Sequence, residues 1–156
     1  YCIQTGRLYE SQPYHNCVFV GRDLKGQPRY AALRGTVGDF KGEATGSDKR
    51  YSFSISGSPS TNSVHLFESA IDLLSYATLL KMKGRDWRQD ALLSLAGVFK
   101  RKRQGVVPLA LSQYLQDHPG TTWTMTRWAG TRLWVSWRAW RTSTRCWTDR
   151  RPIARM

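Results

Sequence analysis

Apolar and polar positions follow a strand period, then a mixed strand and helix period, then no period at all, and these changes divide the chain. Asn16 to Arg22 is rich in Val and Phe, Asp23-Leu24-Lys25-Gly26 supplies turn chemistry, and Arg29 to Arg34 follows, which predicts a β-hairpin. Tyr51-Ser52-Phe53-Ser54-Ile55 alternates strictly and predicts a third, antiparallel strand, bounded by the Gly/Ser/Pro stretch from Ser56 to Ser60.

A second pattern starts at Val64. Val64 to Phe67 reads as a short apolar strand running straight into a helix with Ile71, Leu74, Ala77 and Leu80 on one face, closed by Gly84. Leu92 to Leu95 predicts another buried strand, Lys100 to Arg103 a basic loop, and Pro108 the start of a second helix that stops at Pro119-Gly120. A strand, helix, strand, helix order implies a parallel sheet with right-handed crossovers, so a third parallel strand is due after Gly120. The expected fold class is α/β (α+β overall). It comprises a basic antiparallel β subdomain over residues 1–60, an incomplete parallel sheet with flanking helices over 61–120, and an irregular tail over 121–156.

Composition sharpens the last boundary. Residues 121–156 hold six of the seven Trp, eight Arg and eight Thr, with Asp149 the only acid, and their apolar residues fit neither a helical nor a strand period. The whole chain of 156 residues carries 24 Lys and Arg against 11 Asp and Glu, a formal charge of +13, which points at polyanions. Its hydrophobic content of 40% is too high for a wholly disordered chain. No run approaches the roughly 18 uninterrupted apolar residues of a membrane-spanning helix. Cys2, Cys17 and Cys146 are odd in number and widely spread, without the spacing of zinc ligands or a disulfide framework, so a reducing cytoplasm is the expected compartment. The chain opens on Tyr1 in mid-pattern and without a charged-then-apolar leader, so it reads as a piece of something longer.

Three groups of residues could carry chemistry. Glu68 falls at the carboxyl end of the first parallel strand, where open α/β sheets place their ligands, and Asp72 follows one helical turn later. Two carboxylates on one helix face could hold a divalent metal, but alone they are too few for a hard cation. The other reading of the same spacing is that Ser69 caps the helix with Asp72 as its capping-box partner. Arg22, Arg29, Arg34, Lys49 and Arg50, with the run Lys100-Arg101-Lys102-Arg103, could form a phosphate-binding surface or a set of solvated loops. Gly42 to Lys49 is not a phosphate loop, because Asp48 intervenes where Gly-Lys-Ser/Thr is required. His15, His65 and His118 have no partner at an informative spacing, which makes each structural or exposed.

The stretch Val64-His65-Leu66-Phe67-Glu68-Ser69-Ala70-Ile71-Asp72-Leu73-Leu74-Ser75 closely resembles the first strand and helix of Toprim domains, the catalytic fold shared by bacterial primases and topoisomerases. Leu93 to Gly97 is similar to the second Toprim strand with its terminal glycine, and Asn16 to Asp23 through Pro28-Arg29-Tyr30 resembles the basic subdomain that precedes Toprim in primases. Among such proteins the chain is most similar to Toprim-like proteins with an uncharacterised N-terminal domain carried by bacterial conjugative elements. The resemblance implies a DNA primase-like nucleotidyl or phosphoryl transferase, with Glu68 as acid/base or metal ligand, Asp72 as a further ligand, and magnesium as cofactor. It also implies an Asp-x-Asp pair ending the third strand. No Asp-x-Asp follows Gly120.

A shifted reading frame accounts for that loss. Trp is encoded only by TGG and Met only by ATG, while Thr codons start AC and Ala codons GC. Read one base earlier, Trp123-Thr124 and Met125-Thr126 each give Asp and Trp128-Ala129 gives Gly, so that Leu-Asp-Asn-Asp-x-Val-Gly-Arg fits the tail. The alternative is a genuine basic, Trp-rich arm that stacks on single-stranded nucleic acid. The sequence thus leads to two functional expectations: a fragment of a Toprim primase-like protein of a mobile element whose magnesium-dependent phosphoryl transfer is lost here, or a non-catalytic basic protein that binds DNA or RNA, in single-stranded form.

Overall fold

The computed structural model describes residues 1–97 and 107–126. The hairpin forms as expected: β2 (Cys17–Arg22) pairs antiparallel with β3 (Pro28–Arg34), from Cys17 opposite Arg34 to Arg22 opposite Pro28. Asp23 closes its turn by accepting from the N–H groups of Lys25 and Gln27 through Oδ1. Two short edge strands complete the sheet, β1 (Leu8–Glu10) beside β2 and β4 (Lys41–Glu43) beside β3. Neither has an apolar alternation to betray it, because both lie largely exposed.

The third strand of the sequence reading takes a different place. Lys49–Tyr51 forms a 3-10 turn, and only Ser54–Ile55 is a strand, β5, which pairs antiparallel with β7 (Ala91–Ser94) in a second sheet. The reason is burial of two successive side chains. Phe53 is 0% exposed in the core, while the buried Ser52 hydroxyl donates to the Ser94 carbonyl, so the segment cannot serve as a one-sided strand. Gly21 makes this approach possible, since a Cβ there would lie 1.8 Å from the Tyr51 carbonyl oxygen.

The second sheet has the order β5-β7-β6-β8, with β6 (Ser63–Phe67) parallel to both β7 and β8 (Thr122–Met125). The strand due after Gly120 is therefore present in residues where the composition break implied irregular chain. Thr122-Trp123-Thr124-Met125 does alternate over this short span, and Trp123 and Met125 pack half-buried beside Val64 and Leu66. Residues beyond Thr126, and the basic run Lys100 to Arg103, lie outside the described residues.

Two helices cover the two faces. α1 (Ala70–Met82) packs with Phe67, Leu92 and the inner face of the first sheet (Phe19, Tyr30, Ala32), while α2 (Leu109–Asp117) packs against Val64, Leu66 and Leu93. Coverage on both sides explains why every residue of β7 is buried. The buried stripe of α1 runs through Ala70, Leu73 and Ala77, with Leu74 partly buried, whereas Ile71, expected on that face, is 48% exposed. The cap at Ser69 sets this phase by making Ala70 the first helical residue. Gly84 ends the helix as expected, at φ +67°, with its N–H on the Lys81 carbonyl and that of Arg85 on Leu80. The fold is thus α+β, and no helix among the described residues is long and apolar enough to cross a membrane.

Candidate functional site

The carboxyl ends of β6 and β7 open onto a cavity of about 110 Å³, closed on the far side by the first sheet. Its apolar lining is aromatic, from Phe19, Tyr30 and Phe53, and aliphatic, from Ala32, and its charged and hydroxyl groups are Arg34, Glu68, Ser69 and Ser94. The Gly97 N–H donates to the Glu68 carbonyl (2.9 Å), and Ala96 and Gly97 both take positive φ to turn the chain here. A left-handed alanine is uncommon, and such conformations persist where surrounding structure holds them. Burial, and then the nearby Asp72 carboxylate, push the Glu68 carboxyl above its ordinary range.

Arg34 reaches this cavity because β3 alternates. Tyr30, Ala32 and Arg34 share the face that lines it, while Ala31 and Leu33 take the other. Arg34 Nη1 donates to the neighbouring Leu33 carbonyl (2.7 Å), and no described carboxylate pairs with its charge. Beside it, the Tyr30 hydroxyl donates to Glu43 (3.0 Å), and burial first, with this bond second, holds the phenol well above the usual tyrosine range.

Asp72 is committed to the helix end. Its Oδ2 accepts from the Ser69 N–H and hydroxyl, and its own N–H donates to Ser69 Oγ, which completes a capping box. No group of three or more His, Cys, Asp or Glu converges among the described residues. Glu68 and a half-engaged Asp72 fit magnesium poorly, because that ion demands near-ideal octahedral oxygen coordination.

The other basic residues separate into two roles. Arg29, from β3, and Arg50 each lie 5.7 Å from the centre of the Tyr51 ring, and Lys49 shares the 3-10 turn with Arg50 and Tyr51. Two acids temper this cluster: Asp48 pairs with Arg50 (2.6 Å) and Glu43 with Lys49 (2.9 Å). Arg22 is instead a structural tie, donating to the Gly26 and Gly6 carbonyls. The five described arginines and lysines expected to bind phosphate therefore form no single surface. Arg34 faces the cavity, Arg22 braces loops, and Arg29, Lys49 and Arg50 surround Tyr51.

Sequence spacing missed the contacts of the histidines, because their partners are remote in the chain. His65 bridges Thr126 Oγ1 (2.9 Å) and Asp90 Oδ2 (3.2 Å), His15 meets Glu10 (2.7 Å), and His118 stacks on Tyr114. It also missed Tyr30 and the Ala96-Gly97 turn as parts of the cavity, of which only the glycine carried a local signal.

Residues 1–59 match the model of a family described as a protein of unknown function (DUF3991), and to that extent the chain is similar to that family. The matched stretch includes Arg34 and the Tyr51 cluster and ends before Glu68. No curated protein and no solved structure matches the chain.

Proposed function

We propose that this protein binds single-stranded nucleic acid without catalysis, as a piece of a Toprim primase-like protein of a bacterial mobile element. The observation that carries the reading is the Tyr51 ring with Arg29 and Arg50 each 5.7 Å from its centre and Lys49 alongside. Cations in such a place contact phosphates, and an aromatic face offers a stacking platform for unpaired bases whatever their identity. The chain's charge of +13 supports the same partner. Phosphoryl transfer belongs to the Toprim-like parent, for which Glu68, at the end of β6 and with a raised pKa, supplies a suitable acid/base. Asp72 in its capping box supports an inactive chain.

Fluorescence anisotropy with a labelled oligo-dT of about twenty nucleotides tests the reading. Combined Arg29→Gln, Lys49→Gln and Arg50→Gln substitutions weaken binding by roughly tenfold or more at low salt. Equal affinity of the variant, or no binding by the parent chain, contradicts it.

A further inference from the structure

We propose that the cavity at the ends of β6 and β7 takes a phosphomonoester, the terminal phosphate of a nucleic-acid strand, with Arg34 as its charged anchor. The inference rests on the nucleic-acid reading but concerns a different place, a cavity whose lining includes none of Arg29, Lys49, Arg50 and Tyr51.

Size selects the ligand first. About 110 Å³ accommodates one phosphoryl group, whereas pockets that enclose whole small molecules run to several hundred Å³. The recess ends against the first sheet, and a continuous strand needs both an entrance and an exit, so a chain end is the part that enters.

Charge selects it second. Arg34 has no ion-pair partner among the described residues, and its planar fork suits two phosphate oxygens at once. The cavity wall also includes Ala70 and Ile71, whose N–H groups open α1 and have no intrahelical acceptor. Glu68 also lines the cavity, and burial and the Asp72 carboxylate make it take up a proton more readily than a free carboxylate does, in which form it donates to a phosphate oxygen. Glu68 and Asp72 are the opposing charges, and of these Asp72 already has its Oδ2 satisfied by two donors from Ser69.

The test compares oligo-dT carrying a 5′-phosphate, a 3′-phosphate or hydroxyls at both ends, on the full chain. A terminal phosphate at one end or the other tightens binding by roughly five- to tenfold. Arg34→Met removes that preference and leaves the affinity for the hydroxyl-ended strand, which depends on the Tyr51 cluster. Ile71→Trp, an exposed position at the cavity mouth, removes it too and decides the matter if Arg34→Met does not fold. Equal affinity for all three strands, or a preference that survives both substitutions, overturns the proposal. If no strand binds, the nucleic-acid reading fails by itself. Inorganic phosphate then decides the cavity: a rise in melting temperature lost in Arg34→Met supports the site, and no rise overturns it.

Discussion

Asp72 and Ser69 satisfy one another at the start of α1: the carboxylate accepts from the serine N–H at 3.1 Å and its hydroxyl at 2.7 Å, and returns its own N–H to Oγ. The spacing on which the resemblance to a Toprim metal ligand rests is therefore also that of a complete helix cap. Ser69→Ala should cost about 1 kcal/mol, while Ser69→Thr should retain most of it, as read by thermal unfolding. Magnesium should leave both the parent melting temperature and these differences unchanged. A magnesium-dependent rise abolished by Asp72→Asn would show that the residue ligates a metal after all.

Glu68 gives a pH dependence with a defined sign. A pKa raised above the ordinary value of 4.5 means that the folded chain binds the proton more tightly than the unfolded one. This contribution is present below that ordinary value and is lost as pH rises through the raised one. Glu68→Gln, which never ionises, should melt higher than the parent at neutral pH by about 1–3 °C, the size expected for a partly exposed group. The difference should close below the ordinary value. A variant that melts lower at neutral pH would indicate a stabilising contact of the carboxylate.

Gly21 has no room for a side chain. Gly21→Ala places a Cβ against the Tyr51 carbonyl and the Ser52 backbone, so the 51–55 segment must leave its place between the sheets. The cost should be about 3 kcal/mol or more, with loss of soluble protein or a low melting temperature. A near-parental melting temperature would mean that the two segments do not approach so closely.

His65 ties the ends of two neighbouring strands to β6. Its bonds to Thr126 and Asp90 flank the parallel ladder in which the Thr126 N–H donates to the Leu66 carbonyl at 3.0 Å. His65→Ala should lower the hydrogen-exchange protection of the Thr126 amide by roughly tenfold and leave the Leu73 amide in α1 unaffected. Unchanged protection at Thr126 would place the hold on β8 in Trp123 and Met125 alone.

Local signals made much of the fold legible. Val/Phe runs around a Asp-Leu-Lys-Gly turn specified the hairpin, and the crossover order specified β6, α1, β7, α2 and a further parallel strand. What the sequence hid was pairing between remote segments. Nothing local says that Ser54–Ile55 prefers β7 to β3, since that choice follows from Phe53 and Ser52 entering a shared core. Leu8–Glu10 and Lys41–Glu43 are too short and too exposed to show a period. The candidate site divided in the same way. Glu68 was legible from its place at a strand end, but assembling Arg29, Lys49 and Arg50 around Tyr51 while sending Arg34 to the cavity required the register of β3. Tyr30, Ala32 and Arg34 then alternate onto the cavity face, whereas Arg29 falls where the pairing slips and Arg22 opposes Pro28, so spacing alone does not give its direction.

Salt dependence tests the central claim of nucleic-acid binding most directly. Affinity for single-stranded oligo-dT, measured by anisotropy over a series of salt concentrations, should fall linearly on a double-logarithmic plot, by about 0.7 in slope for each phosphate neutralised. Replacing Arg29, Lys49 and Arg50 by Gln should flatten the slope by about two units and weaken binding for any base sequence. A slope near zero in the parent chain, or the same slope with all three side chains neutralised, would contradict the account.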